Sequence, residues 1–99
     1  MTEKYVSLKA EMFHFEKWIS NINPGTLKST FEVLLKNAEF TIVNFTEHFF
    51  PVEGYTCVWV LAESHLAIHT FPKNNKSYIQ ISSCNQKKLH LLKIAIDEF

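Results

Sequence analysis

Tyr55-Thr56-Cys57-Val58-Trp59-Val60-Leu61-Ala62-Glu63-Ser64-His65-Leu66-Ala67-Ile68-His69-Thr70-Phe71-Pro72 is the stretch whose reading decides the fold. Tyr55 to Ala62 is a strongly apolar run rich in β-branched and aromatic residues, the composition of a buried strand. His65 to Phe71 is a second strand of the same kind. Only the polar pair Glu63-Ser64 stands between them, so the connection must be tight. Strands joined this closely lie side by side and run antiparallel.

Toward the C-terminus, Lys73-Asn74-Asn75-Lys76 reads as a polar turn. Ser77 to Cys84 then alternates, with Ile79 and Ile81 on one side and Tyr78, Gln80, Ser82 and Cys84 on the other. Asn85 is positioned to cap a last helix whose apolar stripe is Leu89, Leu92 and Ile96. Lys87 and Lys88 near its start and Asp97 and Glu98 near its end all oppose the helix macrodipole, so tertiary packing must hold it.

Toward the N-terminus, Pro51 to Gly54 is a break and Glu39 to Phe50 a further strand. A helix is expected from Thr26, because Leu27, Phe31, Leu34 and Leu35 recur at one-face spacing; Ser29 and Glu32 offer an alternative capping box. Asn23-Pro24-Gly25 is a turn signal, Phe15 to Ser20 an irregular or helical piece, and Tyr5 to Phe13 a first strand. The order strand, helix, several antiparallel strands, helix predicts an α+β fold: a two-layer sandwich of one mainly antiparallel sheet with two helices on one face.

Ninety-nine residues, 46% of them hydrophobic, suit one domain with a real core, and a domain of this size gains from pairing with a second copy. The formal charge is zero, so neither nucleic acid nor an anionic membrane surface is an expected partner. All ten basic residues are Lys, and without the bidentate fork of Arg a phosphate-clamping enzyme is disfavoured. No apolar run approaches the roughly 20 residues of a bilayer span. Met1-Thr2-Glu3-Lys4 carries no signal-peptide pattern, and Cys57 and Cys84 make no disulfide framework, so a reduced cytoplasmic location is expected.

Glu63-Ser64-His65-x-x-Ile68-His69-Thr70 is a specific core. Together with His48, Phe50, Gly54, Pro72 and Cys84 it resembles the self-cleavage region of S-adenosylmethionine decarboxylase proenzymes of the short bacterial and archaeal class. The resemblance implies that the backbone is cut between residues 63 and 64. Ser64 Oγ would attack the Glu63 carbonyl, and the resulting ester would eliminate. Loss of ammonia would then leave a pyruvoyl group, the covalent cofactor. It further implies that His69 assists the elimination, that Thr56 stands where the family has a processing Ser, and that Cys84 protonates the product carbon. Phe50 and Phe71 fall where the family places rings beside adenine.

The substrate would be S-adenosylmethionine, the product would feed aminopropyl transfer in polyamine (spermidine) synthesis, and the enzyme would be a homodimer. No metal is required. Departures from the family pattern are Phe71-Pro72-Lys73 for Trp-Pro-Glu, Gln80 for an Asp, and Asn85 for a Gly. They motivate two alternatives: a pyruvoyl decarboxylase of another amino acid such as arginine or ornithine, or a non-cleaving homologue that binds a ligand or partner.

Blander readings stand beside these. Ser64 on its own is a turn serine, Cys57 a core thiol, and His14, His48 and His90 surface or satisfied polar groups. Phe50 and Phe71 serve equally as core. His65 and His69 lie on a strand, where four residues span roughly 13 Å, too far to grip one ion. A Cys84–His69 thiol hydrolase lacks an orienting Asn or Asp.

Overall fold

The computed structural model describes residues 11–99. The elements run in the order β1 (Phe13–Ile19), α1 (Pro24–Asn37), β2 (Ile42–Phe49), β3 (Tyr55–Leu61), β4 (Ser64–Phe71), β5 (Lys76–Ser83) and α2 (Gln86–Asp97). The five strands form one sheet in the order β1-β5-β4-β3-β2, and every neighbouring pair is antiparallel. Both helices pack on the same face, which makes the expected α+β two-layer arrangement.

The core follows the period of each element. Strands β3, β4 and β5 turn alternate residues inward: Cys57 and Trp59, Leu66 and Ile68, Ile79 and Ile81. Leu27, Phe31 and Leu35 of α1 and Leu89, Leu92 and Ile96 of α2 close over them. Burying a side chain of this kind is worth about 1.5–3 kcal/mol, which outweighs the unfavourable charge order of α2. The Asn85 side chain caps α2 as expected, accepting a hydrogen bond from Lys88 N at 2.9 Å.

Several boundaries differ from the sequence reading. Phe15 to Ser20 is neither irregular nor helical. It is most of β1, and it pairs residue for residue with β5 from Phe13↔Ser83 to Ile19↔Ser77. Lys17 takes an inward position there because its ammonium reaches Asp97 of α2 at 2.6 Å. Of the earlier strand expected at Tyr5 to Phe13, residues 5–10 lie outside the described residues, while Glu11 and Met12 precede β1 and Phe13 begins it.

Helix α1 starts at Pro24, not Thr26, because the Asn23 side chain accepts from Thr26 N at 2.9 Å and Pro suits the first helical turn. It ends with Glu39 in the left-handed region (φ 68°). There Glu39 N donates to Lys36 O and Phe40 N to Leu35 O, so residues 39 and 40 finish the helix instead of starting β2, while Thr41 O already accepts from Ala62 N at 3.0 Å. The turn after β4 is a short 3-10 segment, Pro72–Asn74, closed by left-handed Asn75.

Among the described residues, the sheet's second face carries no helix. Thr56, Val58 and Val60 of β3, His65, Ala67, His69 and Phe71 of β4, and Tyr78, Gln80 and Ser82 of β5 look out from it. Trp18 of β1, half exposed, lies 5.4 Å from the Phe71 ring and 4.9 Å from that of Tyr78.

Candidate active site

Ala62 and Glu63 form the whole β3–β4 connection, since Leu61 and Ser64 still pair across the hairpin. Closing so short a turn puts Glu63 at φ 61°. A left-handed conformation costs a non-glycine residue about 1–2 kcal/mol, and here it is held by strand pairing on both sides. The bond that follows this residue joins it to Ser64, which is buried at the start of β4.

The Ser64 hydroxyl faces the helix layer and donates to Ser83 Oγ at 2.9 Å. One residue beyond Ser83, exposed Cys84 donates its thiol proton to Glu63 Oε2 at 3.3 Å. The Glu63 carboxylate, as acceptor of that proton, raises the Cys84 pKa, and partial desolvation adds to it. The thiol is thereby kept protonated at neutral pH, the state a proton donor needs. Glu63, Ser64 and Cys84 thus converge at one end of the sheet.

His69 and Thr56 sit elsewhere. They are cross-strand partners on the uncovered face, with Thr56 Oγ1 and His69 Nδ1 3.0 Å apart. His69 is five residues along β4 from Ser64, about 17 Å at the rise of a strand, and on the opposite face. Phe50 and Phe71 share the His69 end. They line a cleft of about 540 Å³ together with Val52, Gly54, Pro72 and Lys73. Gly54 shapes this cleft: its φ of 107° is one that side chains rarely adopt, and its carbonyl accepts from Phe50 N at 3.0 Å. His48 stacks edge-on against Phe50 at 4.6 Å.

The residues singled out in the sequence therefore form two clusters at opposite ends of β4, not one. Cys57 is fully buried, and burial pushes its pKa up to about 11, so it is an inert core thiol. Burial, with Glu47 accepting from its hydroxyl at 2.6 Å, likewise raises the Tyr55 pKa. No group of three or more His, Cys, Asp or Glu converges on a metal position among the described residues. No helix among them is long and apolar enough to cross a membrane. Sequence reasoning missed Ser83. Its only signal was an inward strand position occupied by a hydroxyl residue beside Ser64.

The S-adenosylmethionine decarboxylase family model matches residues 8–99. The chain belongs to that family. A relative named S-adenosylmethionine decarboxylase proenzyme, from Prochlorococcus marinus (strain MIT 9313), is 35% identical over 63 residues, which are 64% of this chain and 50% of the relative. A protein of the same name from Thermodesulfovibrio yellowstonii is 35% identical over 74 residues, covering 69% of this chain and 55% of its own length. The chain spans about half the length of the curated relatives it matches. The crystal structure of the adenosylmethionine decarboxylase from Aquifex aeolicus vf5 superposes with a TM-score of 0.70 at 20% identity, covering 87% of this chain and 77% of that one, so it shares the fold.

Proposed function

We propose that this chain is a self-processing, pyruvoyl-dependent decarboxylase acting on S-adenosylmethionine. The observation that carries the reading is Ser64 placed directly after left-handed Glu63, with a protonated Cys84 thiol held against the Glu63 carboxylate. A serine after a conformationally costly residue suits an N-to-O acyl shift, because breaking the 63–64 peptide bond relieves the turn. Ser64 Oγ forms a bond to the Glu63 carbonyl carbon as the C–N bond breaks, which frees the Ser64 amine. A base then takes the Ser64 α-proton, the Cβ–O bond breaks, and Glu63 leaves as a carboxylate. Water replaces the amine nitrogen as ammonia, and residue 64 becomes the pyruvoyl group.

That group supplies a carbonyl electron sink for decarboxylation. In this reading Cys84 returns a proton to the substrate carbon, supported by its protonated thiol beside Glu63, and Phe50 and Phe71 flank a cleft of a size suited to a nucleoside. The donor set at Ser64 fits a cofactor made in place.

His69 and Thr56 enter through a second copy. Two uncovered faces packed about a two-fold axis perpendicular to β4 run their strands in opposite directions. The Ser64–Cys84 end of one protomer then lies over the Thr56–His69–Phe71 end of the other, at the roughly 10 Å spacing of packed sheets. The acyl shift makes residue 64 a free chain end able to turn toward that face. A homodimer with two shared sites follows.

One observation bears on the substrate: Lys73 lines the cleft, and its ammonium repels the sulfonium of S-adenosylmethionine, as it would the side-chain cations of arginine and ornithine. The test is denaturing intact-mass spectrometry, followed by carbon dioxide release from S-adenosylmethionine, arginine and ornithine. Fragments 1–63 and 64–99, absent in Ser64→Ala, with release from S-adenosylmethionine alone, are expected. A wild-type chain that persists uncut at 11.6 kDa defeats the reading in favour of a non-enzymatic homologue.

A further inference from the structure

Ser83 is fully buried on the inward side of β5, directly across from Ser64 in the β4–β5 register. Its hydroxyl oxygen accepts two hydrogen bonds, from Ser64 Oγ at 2.9 Å and from Asn85 N at 3.0 Å, and its own proton is directed at Asn85 O at 3.4 Å. Every hydrogen-bonding site of Ser83 is thus assigned by its neighbours, and its rotamer is fixed from the residue that caps α2. A hydroxyl has one proton and two lone pairs. Because Ser64 spends its single proton on Ser83, its lone pairs are the part of the hydroxyl left to approach a carbonyl carbon. A buried hydroxyl without this acceptor would turn its proton toward another oxygen, and the nearest alternatives in a two-residue turn are backbone carbonyls.

From this geometry we infer that Ser83 is a positioning residue for self-cleavage. It orients the Ser64 hydroxyl for attack and ties that orientation to the N-terminus of α2. The inference rests on the reading that the chain cuts itself at Ser64. It adds that the rate of the cut is set from the next strand by a residue that never joins the scissile bond. Thr at this position keeps the acceptor and satisfies the same partners. Ala removes the acceptor, and Cys keeps a similar volume with a far weaker one.

The experiment follows the uncut fraction of freshly purified full-length chain by intact mass over time, for wild type, Ser83→Thr, Ser83→Cys and Ser83→Ala, with thermal unfolding of each recorded in parallel. The expected result is a wild-type rate in Ser83→Thr. Ser83→Ala slows by about tenfold or more, the effect of a misoriented reacting group, and Ser83→Cys falls between, all with similar unfolding temperatures. If Ser83→Ala fails to fold, the comparison of Ser83→Cys with Ser83→Thr decides in the same way. Equal rates in Ser83→Ala, or in Ser83→Cys, and wild type overturn the role of Ser83 while leaving self-cleavage intact. A wild type that never cleaves overturns both.

Discussion

The Cys84 thiol donates to the Glu63 carboxylate across the mouth of the β3–β4 turn, 3.3 Å from sulfur to oxygen. The two residues are 21 positions apart in sequence, and the antiparallel return of β5 beside β4 brings them together. A negative charge beside a thiol disfavours the thiolate. Neutralising Glu63 should therefore lower the Cys84 pKa toward its ordinary value. In an uncut Ser64→Ala background, Glu63→Gln is expected to speed alkylation of Cys84 by iodoacetamide at about pH 7.5, because more thiolate is present there. Buried Cys57 stays silent in both proteins. Identical pH profiles of alkylation would show that the contact does not govern the thiol.

His69 is proposed to act after the acyl shift, on the Ser64 α-proton. His69→Ala should then stall at the ester, with the Ser64 amine free and the Glu63 acyl group on oxygen. Hydroxylamine cuts esters and spares amides, so adding it should split the stalled chain at residue 63 within hours, as read by mass. A His69→Ala chain that processes at the wild-type rate removes this histidine from the elimination. Thr56→Val, which takes the hydroxyl from His69 Nδ1, is expected to slow the same step by about tenfold, a typical loss for a misoriented acid–base group.

Val58 lies at the middle of the uncovered sheet face, paired with Ala67 of β4. A lysine there leaves the core untouched but puts a charge where two apolar faces would meet. Light scattering should give twice the 11.6 kDa protomer mass for wild type and the protomer mass for Val58→Lys. Elimination in the monomer should slow along with that, because each site would lose its His69. A wild type that is monomeric at all concentrations would refute the shared site.

Leu92 is fully buried where α2 crosses the sheet. Leu92→Ala should cost about 2–5 kcal/mol in urea unfolding, since both transfer energy and a cavity are lost. Asn85→Ala, which removes only the cap of the same helix, should cost about 1 kcal/mol. If the two losses were equal, the capping interaction and not packing would be holding α2.

Period and punctuation made much of the fold legible. The alternation from Ser77 to Ser83, the stripe Leu89-Leu92-Ile96 and the Asn85 cap needed only local information and stand as read, whereas the tight connection lies one residue earlier than read, at Ala62-Glu63, because Ser64 already pairs with Leu61. Strand β1 was hidden because Phe15, Trp18 and Ile19 also fit helical spacing, and only pairing with β5 settles the choice. Asn23 was read as turn chemistry, although its side chain does the capping. The site was half legible. Ser64 and His69 are close in sequence and read as one constellation, but a strand carries residues five apart to opposite ends and opposite faces. Ser83 was invisible for a related reason: Ser82 and Ser83 look alike in sequence, and only the register tells which one meets Ser64.

The strand order β1-β5-β4-β3-β2 gives the proposed cut an unusual outcome. A break after Glu63 would assign β1, β2 and β3 to one polypeptide and β4 and β5 to the other. The shorter piece would then be inlaid, with a strand of the longer piece along each of its flanks and its helix seated in the common core. Neither piece could leave without unzipping two seams at once. The mature molecule would behave as a single body under dilution, gel filtration and long storage, and only a denaturant would reveal that its backbone had been severed.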